Sequence, residues 1–192
     1  MALTFDDGPD PEWTPLLLDA LGVHDVHATF FVMGGAAARH PDLIERTRAA
    51  GHDVQLHCHE HHRHTDVDRD ALERDTDSAL SVLAERGVEP SRWRTPWGVL
   101  GPWTQELARA RGLTLTHWTA DTEDWAGDPA PLLLDRVLGA LRPGAIVLAH
   151  DGLGPGARRA GCEETVALVG PLVRAIRGAG LTAGPLPSLP EA

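Results

Sequence analysis

Thr4-Phe5-Asp6-Asp7-Gly8-Pro9 is the stretch on which the reading of this chain turns. Side chains on a strand alternate between two faces, so adjacent carboxylates reach one site only where the strand ends between them. Gly8-Pro9 supplies that ending, because glycine accepts turn dihedrals and proline cannot continue a central strand. Ala2 to Phe5 are apolar or β-prone, which puts Asp6 and Asp7 at the C-terminal tip of a short strand. In barrel enzymes such tips carry the chemistry. Taken alone the pair reads as an acidic turn; a site needs partners from elsewhere in the chain.

The composition narrows what those partners can be. A length of 192 residues fits one domain able to bury a core without disulfides or structural metal. The formal charge of -11 argues against nucleic acid and anionic membrane as partners, since both attract basic surfaces. Every basic residue is an arginine, and Tyr and Asn are missing, a bias of genomic codon usage rather than of function. Cys58 and Cys162 form no CxxC pair and no disulfide framework. No run is long and apolar enough to span a membrane. Because the first strand opens at the initiating Met, no cleavable leader is expected. The expected location is the cytoplasm for a complete chain, and outside the cell or in the cell wall for a domain cut from a longer one.

Apolar runs alternate with amphipathic ones along the rest of the chain. Helical spacing predicts helices over 11–21, 41–50, 70–86, 102–111, 131–141 and 163–177, most of them closed by glycine. Strands are expected over 28–33, 53–56, 93–95, 113–119 and 145–149, with a last short run at Leu181. Residues 185–192 are proline-rich and expected to be an irregular tail behind a domain of residues 1–184. About seven β/α alternations imply a parallel sheet covered by helices, either open and doubly wound or closed into a barrel.

The densest polar cluster, His57-Cys58-His59-Glu60-His61-His62-Arg63-His64, directly follows the third strand. Imidazole is the commonest nitrogen ligand of zinc-like metals, and a carboxylate is a usual third ligand. The H-E-x-x-H pattern fails, since Arg63 stands four after His59. His57 and His61 remain a candidate pair, set against a solvated histidine-rich loop; His59, His62 and His64 are expected at the surface. Three further stretches fall at predicted strand ends: Arg94-Thr95-Pro96-Trp97-Gly98, Asp121-Thr122-Glu123-Asp124-Trp125 and Leu148-Ala149-His150-Asp151. Each is ordinary singly, but their shared placement on strand tips is not.

In this order the motifs Thr4–Pro9, His57-x-x-x-His61, Arg94-x-Pro96-x-Gly98, Asp121-x-x-Asp124-Trp125 and Leu148-x-His150 resemble those of the polysaccharide deacetylases, carbohydrate esterase family 4 or NodB-homology domains. Ala28 to Val32 and Arg142-Pro143-Gly144 are similar as well. The resemblance implies a distorted (β/α)7-type barrel that removes acetyl groups from N-acetylated sugars with the help of a metal. By it, Asp7, His57 and His61 would hold one divalent ion, zinc in the first place and cobalt or nickel as alternatives. Asp6 would be the general base, with Arg94 pairing and orienting it. The Trp97 N–H would stabilise the oxyanion, and His150 would protonate the leaving amine while Asp124 holds its imidazole. Trp125 and Leu148 would line the acetyl pocket.

Three departures from the family pattern stand out. Cys58 takes a Ser/Thr position and is read as a small buried hydrophobe rather than an extra ligand. Trp97 replaces a common Tyr, and the sequence opens on the first motif, ahead of which many relatives carry a further segment. Trp97, Trp103 and Trp125 are expected to stack on sugar, while Trp13, Trp93 and Trp118 are expected in the core or on helix faces. Gly152-Leu153-Gly154-Pro155-Gly156 lacks phosphate-loop spacing and reads as a flexible rim loop; no G-x-S-x-G is present.

The expected substrate is an acetylated glycan or oligosaccharide of chitin-like or peptidoglycan-like type. An O-acetyl xylan-type esterase or small-amide hydrolase on the same fold, and an inactive carbohydrate-binding domain, are the alternatives.

Overall fold

In the computed structural model, which describes residues 1–190, seven strands follow the chain as β1 (Ala2–Asp6), β2 (Thr29–Met33), β3 (Asp53–Cys58), β4 (Arg92–Trp93), β5 (Thr114–Leu115), β6 (Ala120–Asp121) and β7 (Ile146–His150). Between and after them lie α1 (Trp13–Val23), α2 (Gly34–Arg39), α3 (Pro41–Ala49), α4 (Arg69–Ala84), α5 (Thr104–Ala110), α6 (Ala130–Leu138) and α7 (Glu163–Gly178). All strand pairs are parallel, in the order β5-β4-β3-β2-β1-β7-β6.

That order forces the sheet to curl. β5 and β6 occupy opposite edges yet are consecutive in the chain. A flat sheet of this size would separate its edges by about 29 Å, whereas the chain from Leu115 to Ala120 reaches at most about 18 Å. The result is the expected distorted (β/α)7 barrel, incompletely closed, in a single domain.

The expected strand over 113–119 forms only at Thr114–Leu115, as β5. Its first part pairs with one edge, Thr116 N–H donating to Trp93 O, and its last part with the other, Thr119 N–H donating to Ile146 O. The residues between bridge the barrel gap, where no neighbouring strand exists to pair with. The short helix α2 is an element the sequence did not announce: glycine at its first two positions masks it. Gly34 is there for closeness, since a Cβ would come within 2.7 Å of the Ala79 backbone on α4. The remaining boundaries differ from expectation by a few residues, as helix and strand ends do.

Strand alternation sorts the sheet into two faces. Leu3 and Phe5 of β1 and Val147 and Ala149 of β7 turn outward onto Leu168, Val169 and Leu172 of α7. Thr4 and Asp6 point the other way, into the barrel. Ala2, Phe31 and Leu186 form a second, smaller apolar cluster. Leu186 arrives from the irregular tail, where its N–H donates to Thr29 Oγ1 at 3.0 Å while Arg92 donates to Pro187 O at 2.6 Å. The tail is therefore docked as far as Pro187; residues 191–192 lie outside the described residues. Leu181 forms no strand, and the adjoining contact is a single bridge between Ala2 and Gly184. Trp93 is in the core as expected, and Cys58 and Cys162 are buried free thiols. Among the described residues no helix is long and apolar enough to cross a membrane.

Just before β3, His52 Nδ1 accepts the Ala28 N–H at 3.1 Å and its ring packs edge-on to Phe30. Burial, seconded by nearby His27, lowers its pKa to about 4. The unfolded chain takes up that proton near pH 6.5, so the folded state loses stability as pH falls from about 6.5 towards 4. Urea midpoints measured across that range should decline, and His52→Gln, whose amide oxygen can still accept, should flatten the decline.

Candidate active site

In a parallel sheet every strand ends on the same side, so the tips of β1, β3, β4, β6 and β7 meet at one mouth of the barrel. A cavity of about 410 Å³ opens there, bordered by Asp6, Asp7, His57, His61, Trp97, Trp125, Leu148 and His150. Of the expected site residues, only Arg94 and Asp124 lie behind its wall, each bonded to a residue that borders it.

The β1 turn is built to separate the two carboxylates. Asp7 has φ 76°, a left-handed conformation unusual for a residue with a side chain. Gly8 then donates its N–H to Asp151 Oδ1 at 3.2 Å, and Thr14 donates its hydroxyl to Asp151 Oδ2 at 2.5 Å. A Cβ on Gly8 would collide with that carboxylate, which is why glycine stands there. Burial, partly offset by the Thr14 hydrogen bond, pushes Asp151 up to about 7.

Asp7 Oδ1 lies 3.2 Å from His57 Nε2 and 3.3 Å from His61 Nε2. All three ligand atoms fall within 4.8 Å of one another. His57 Nδ1 sits 2.7 Å from the Arg94 carbonyl, which can only accept, so Nδ1 carries the proton. In the neutral ring Nε2 then presents a lone pair, as a metal-ligating histidine does when its other nitrogen is held by a carbonyl. Asp7 Oδ1 and His57 Nε2 are buried with no hydrogen-bond partner. Two acceptors aimed at one another are satisfied by a cation between them, and the donor set fits a divalent ion of zinc type.

On one flank Asp6 Oδ1 accepts Arg94 Nη1 at 2.8 Å, both side chains being buried. The guanidinium also donates to Thr4 Oγ1 at 2.7 Å, to Thr116 O at 3.3 Å and to His117 O at 3.3 Å, and lies 4.1 Å from the Phe31 ring centroid. On the adjacent strand, His150, the register partner of Asp6, donates from Nδ1 to Asp124 Oδ1 at 2.7 Å and from its main-chain N–H to Asp124 Oδ2 at 2.9 Å. Burial lowers the His150 pKa, but the Asp124 charge prevails and raises it to about 9. Burial likewise pushes Asp124 up, and His150, Arg159 and Thr165 together hold it well below the carboxylate range.

Trp97, 41% exposed and also left-handed at φ 53°, stands edge-on to His61 with ring centroids 4.3 Å apart. Trp125, 37% exposed, borders the same cavity. Trp103, expected to stack on sugar, is exposed but does not border the cavity. Trp118, expected in the core, does border it, because the segment carrying it bridges the gap instead of pairing as a strand. His64 is a correction too: it is buried, its Nδ1 2.9 Å from Thr104 Oγ1 and its ring against Trp93. His62 is exposed and His59 half-buried. The glycine loop is a wall rather than a free rim, since side chains at Gly152 or Gly154 would run into Asp7.

The polysaccharide deacetylase family model matches residues 1–116. The chain belongs to that family. It is 39% identical to a chitooligosaccharide deacetylase of Bradyrhizobium sp. (strain ANU 289) across 97% of this chain and 89% of that protein. A crystal structure of the Bc1960 peptidoglycan N-acetylglucosamine deacetylase, in complex with 4-naphthalen-1-yl-N-oxidanyl-benzamide, superposes with TM-score 0.89 at 30% identity, covering 97% of this chain and 85% of that one. A family 4 carbohydrate esterase from Streptomyces lividans in complex with acetate gives 0.86 at 28% identity over 96% and 91%.

Sequence reasoning missed Arg159 and Thr165, which bind Asp124 through a loop and a helix with no motif spacing, and Thr4, an ordinary strand residue by its neighbours. Removing one partner of a buried ion pair leaves the other charge uncompensated. Arg94→Met should therefore lower the unfolding free energy by about 3–5 kcal/mol, read from denaturant titration, and Asp6→Asn should cost less because Arg94 keeps its other acceptors.

Proposed function

We propose that this chain is a metal-dependent deacetylase that hydrolyses the N-acetyl group of N-acetylglucosamine-containing oligo- or polysaccharides to free amine and acetate. One observation carries the reading: the Asp7, His57 and His61 ligand atoms lie in one cavity with Asp6 and His150, each held by its own buried partner. Binding alone needs no such acid and base, which counts against an inactive carbohydrate-binding domain. The relatives that act on chitooligosaccharides and peptidoglycan support the amide and the sugar.

A divalent ion on Asp7, His57 and His61, zinc with cobalt or nickel as alternatives, would act as a Lewis acid towards the acetyl carbonyl and the attacking water. Asp6 removes the proton from that water, its carboxylate aimed by Arg94. The Trp97 N–H would stabilise the oxygen on which negative charge develops. His150 delivers a proton to the departing amine, and Asp124 stabilises the imidazolium that donates it. Leu148 and Trp125 shape the space for the acetyl methyl group.

Metal-loaded protein should release acetate from chitooligosaccharides or peptidoglycan glycan strands in preference to acetylated xylan and simple acetamides. The opposite preference would transfer the site to an esterase or small-amide hydrolase. Asp6→Asn should cut turnover by about 10²–10⁴-fold with metal still bound, whereas metal loss in that variant would place Asp6 among the ligands. His150→Ala should depress kcat far more than it raises KM. Equilibrium dialysis should find one ion per chain, lost in His61→Ala.

A further inference from the structure

Arg159 lies beyond the residues the family model matches and outside every motif in the sequence, yet its side chain is only 6% exposed. A buried guanidinium is costly unless its hydrogens are met. Here Nη1 donates to Asp124 Oδ2 at 2.8 Å and to Thr165 Oγ1 at 2.6 Å. Nη2 donates to the carbonyls of His150 and Gly152, both at 3.2 Å. Nε, also buried, has no protein partner, and the residue borders the cavity. Thr165 Oγ1 in turn donates to Asp124 Oδ2 at 2.6 Å. Both Asp124 oxygens are thereby fixed, Oδ1 by the imidazole of His150 and Oδ2 by Arg159, Thr165 and the His150 N–H.

The two carbonyl contacts reach further. His150 O belongs to the strand end that carries the proposed proton donor. Gly152 O begins the glycine wall, which turns back against Asp7 so closely that neither Gly152 nor Gly154 has room for a side chain. One planar fork thus joins the Asp124 carboxylate, the end of β7 and the wall over the ligand set, a job for which a guanidinium suits and an ammonium does not.

We infer that Arg159 is a positioning residue for the deacetylation step: it fixes Asp124 so that His150 holds its donor nitrogen to the cavity, and clips the Gly152–Ala157 wall to the same pair. This rests on the deacetylase reading with His150 as donor. A displacement of about 1 Å in such a group costs on the order of 10²-fold in rate.

The test compares Arg159→Met, Arg159→Lys, Thr165→Val and His150→Ala with the wild type, all metal-loaded, on a chitooligosaccharide. Arg159→Met should lower kcat by about 10²-fold with KM within about twofold, and free guanidinium at non-denaturing concentration should restore part of the loss. Arg159→Lys should recover only a fraction, and Thr165→Val should lose less than Arg159→Met. Amides of residues 152–161 should exchange faster with deuterium in Arg159→Met, while metal content stays at the wild-type value. A wild-type kcat in Arg159→Met, or a loss traceable to missing metal and deaf to guanidinium, overturns the inference. Should Arg159→Met fail to fold, Arg159→Lys and Thr165→Val decide: wild-type kcat in both overturns it. An active wild type whose His150→Ala variant is impaired while Arg159→Met is not sinks this inference alone. A wild type silent on every glycan tested removes the deacetylase reading and this inference with it.

Discussion

A fully buried guanidinium in the middle of a curled sheet governs how this molecule is put together. Arg94 follows the last residue of β4 and points inward by simple alternation from outward-facing Trp93. Inside, it cannot stay unpaired, and Asp6 at the tip of the neighbouring-but-two strand supplies the countercharge. Its remaining donors take Thr4 and the carbonyls of residues 116 and 117, which belong to the segment bridging the gap between the two sheet edges. The same side chain therefore closes the barrel and aims the carboxylate proposed as the base. Stability and chemistry cannot be separated at this point.

The two faces of the sheet divide the remaining work. Outward residues form a continuous apolar layer with the helices, which is where the free energy of folding is gained. Inward residues are polar to an unusual degree for a barrel interior: Thr4, Asp6, His57 and Arg94 are all buried. Each must find a partner inside, and the partners they find are one another or the carbonyls of adjacent strands. Asp7 Oδ1 and His57 Nε2 face each other at 3.2 Å without a proton donor between them, and by the bonding rule that organises the rest of the interior a cation would fit there.

The sequence was most legible where a strand stops abruptly. Gly8-Pro9, Pro96-Trp97-Gly98 and the run of histidines after Leu56 all mark ends, and the residues at those ends gather at the mouth as spacing and family resemblance implied. It was least legible where contacts are distant or strands lack neighbours. Apolar alternation from Leu113 to Thr119 looks like a strand, but no local signal says that its halves pair with opposite edges, and Trp118 was misplaced for that reason. His64 sits in a polar run that reads as solvated; its burial depends on Thr104 and Trp93, far away in the chain. Arg159 has no pattern around it, since a lone arginine in a glycine-rich loop shows nothing until the fold brings Asp124 alongside.

The backbone packing of the glycine wall against Asp7 has a practical side for anyone wishing to redesign specificity. Positions 152 and 154 are closed to substitution by the Asp7 carboxylate and its carbonyl, but Pro155 and Ala157 border the same cavity. A library confined to those two residues can re-line one side of the cavity without placing a side chain against Asp7.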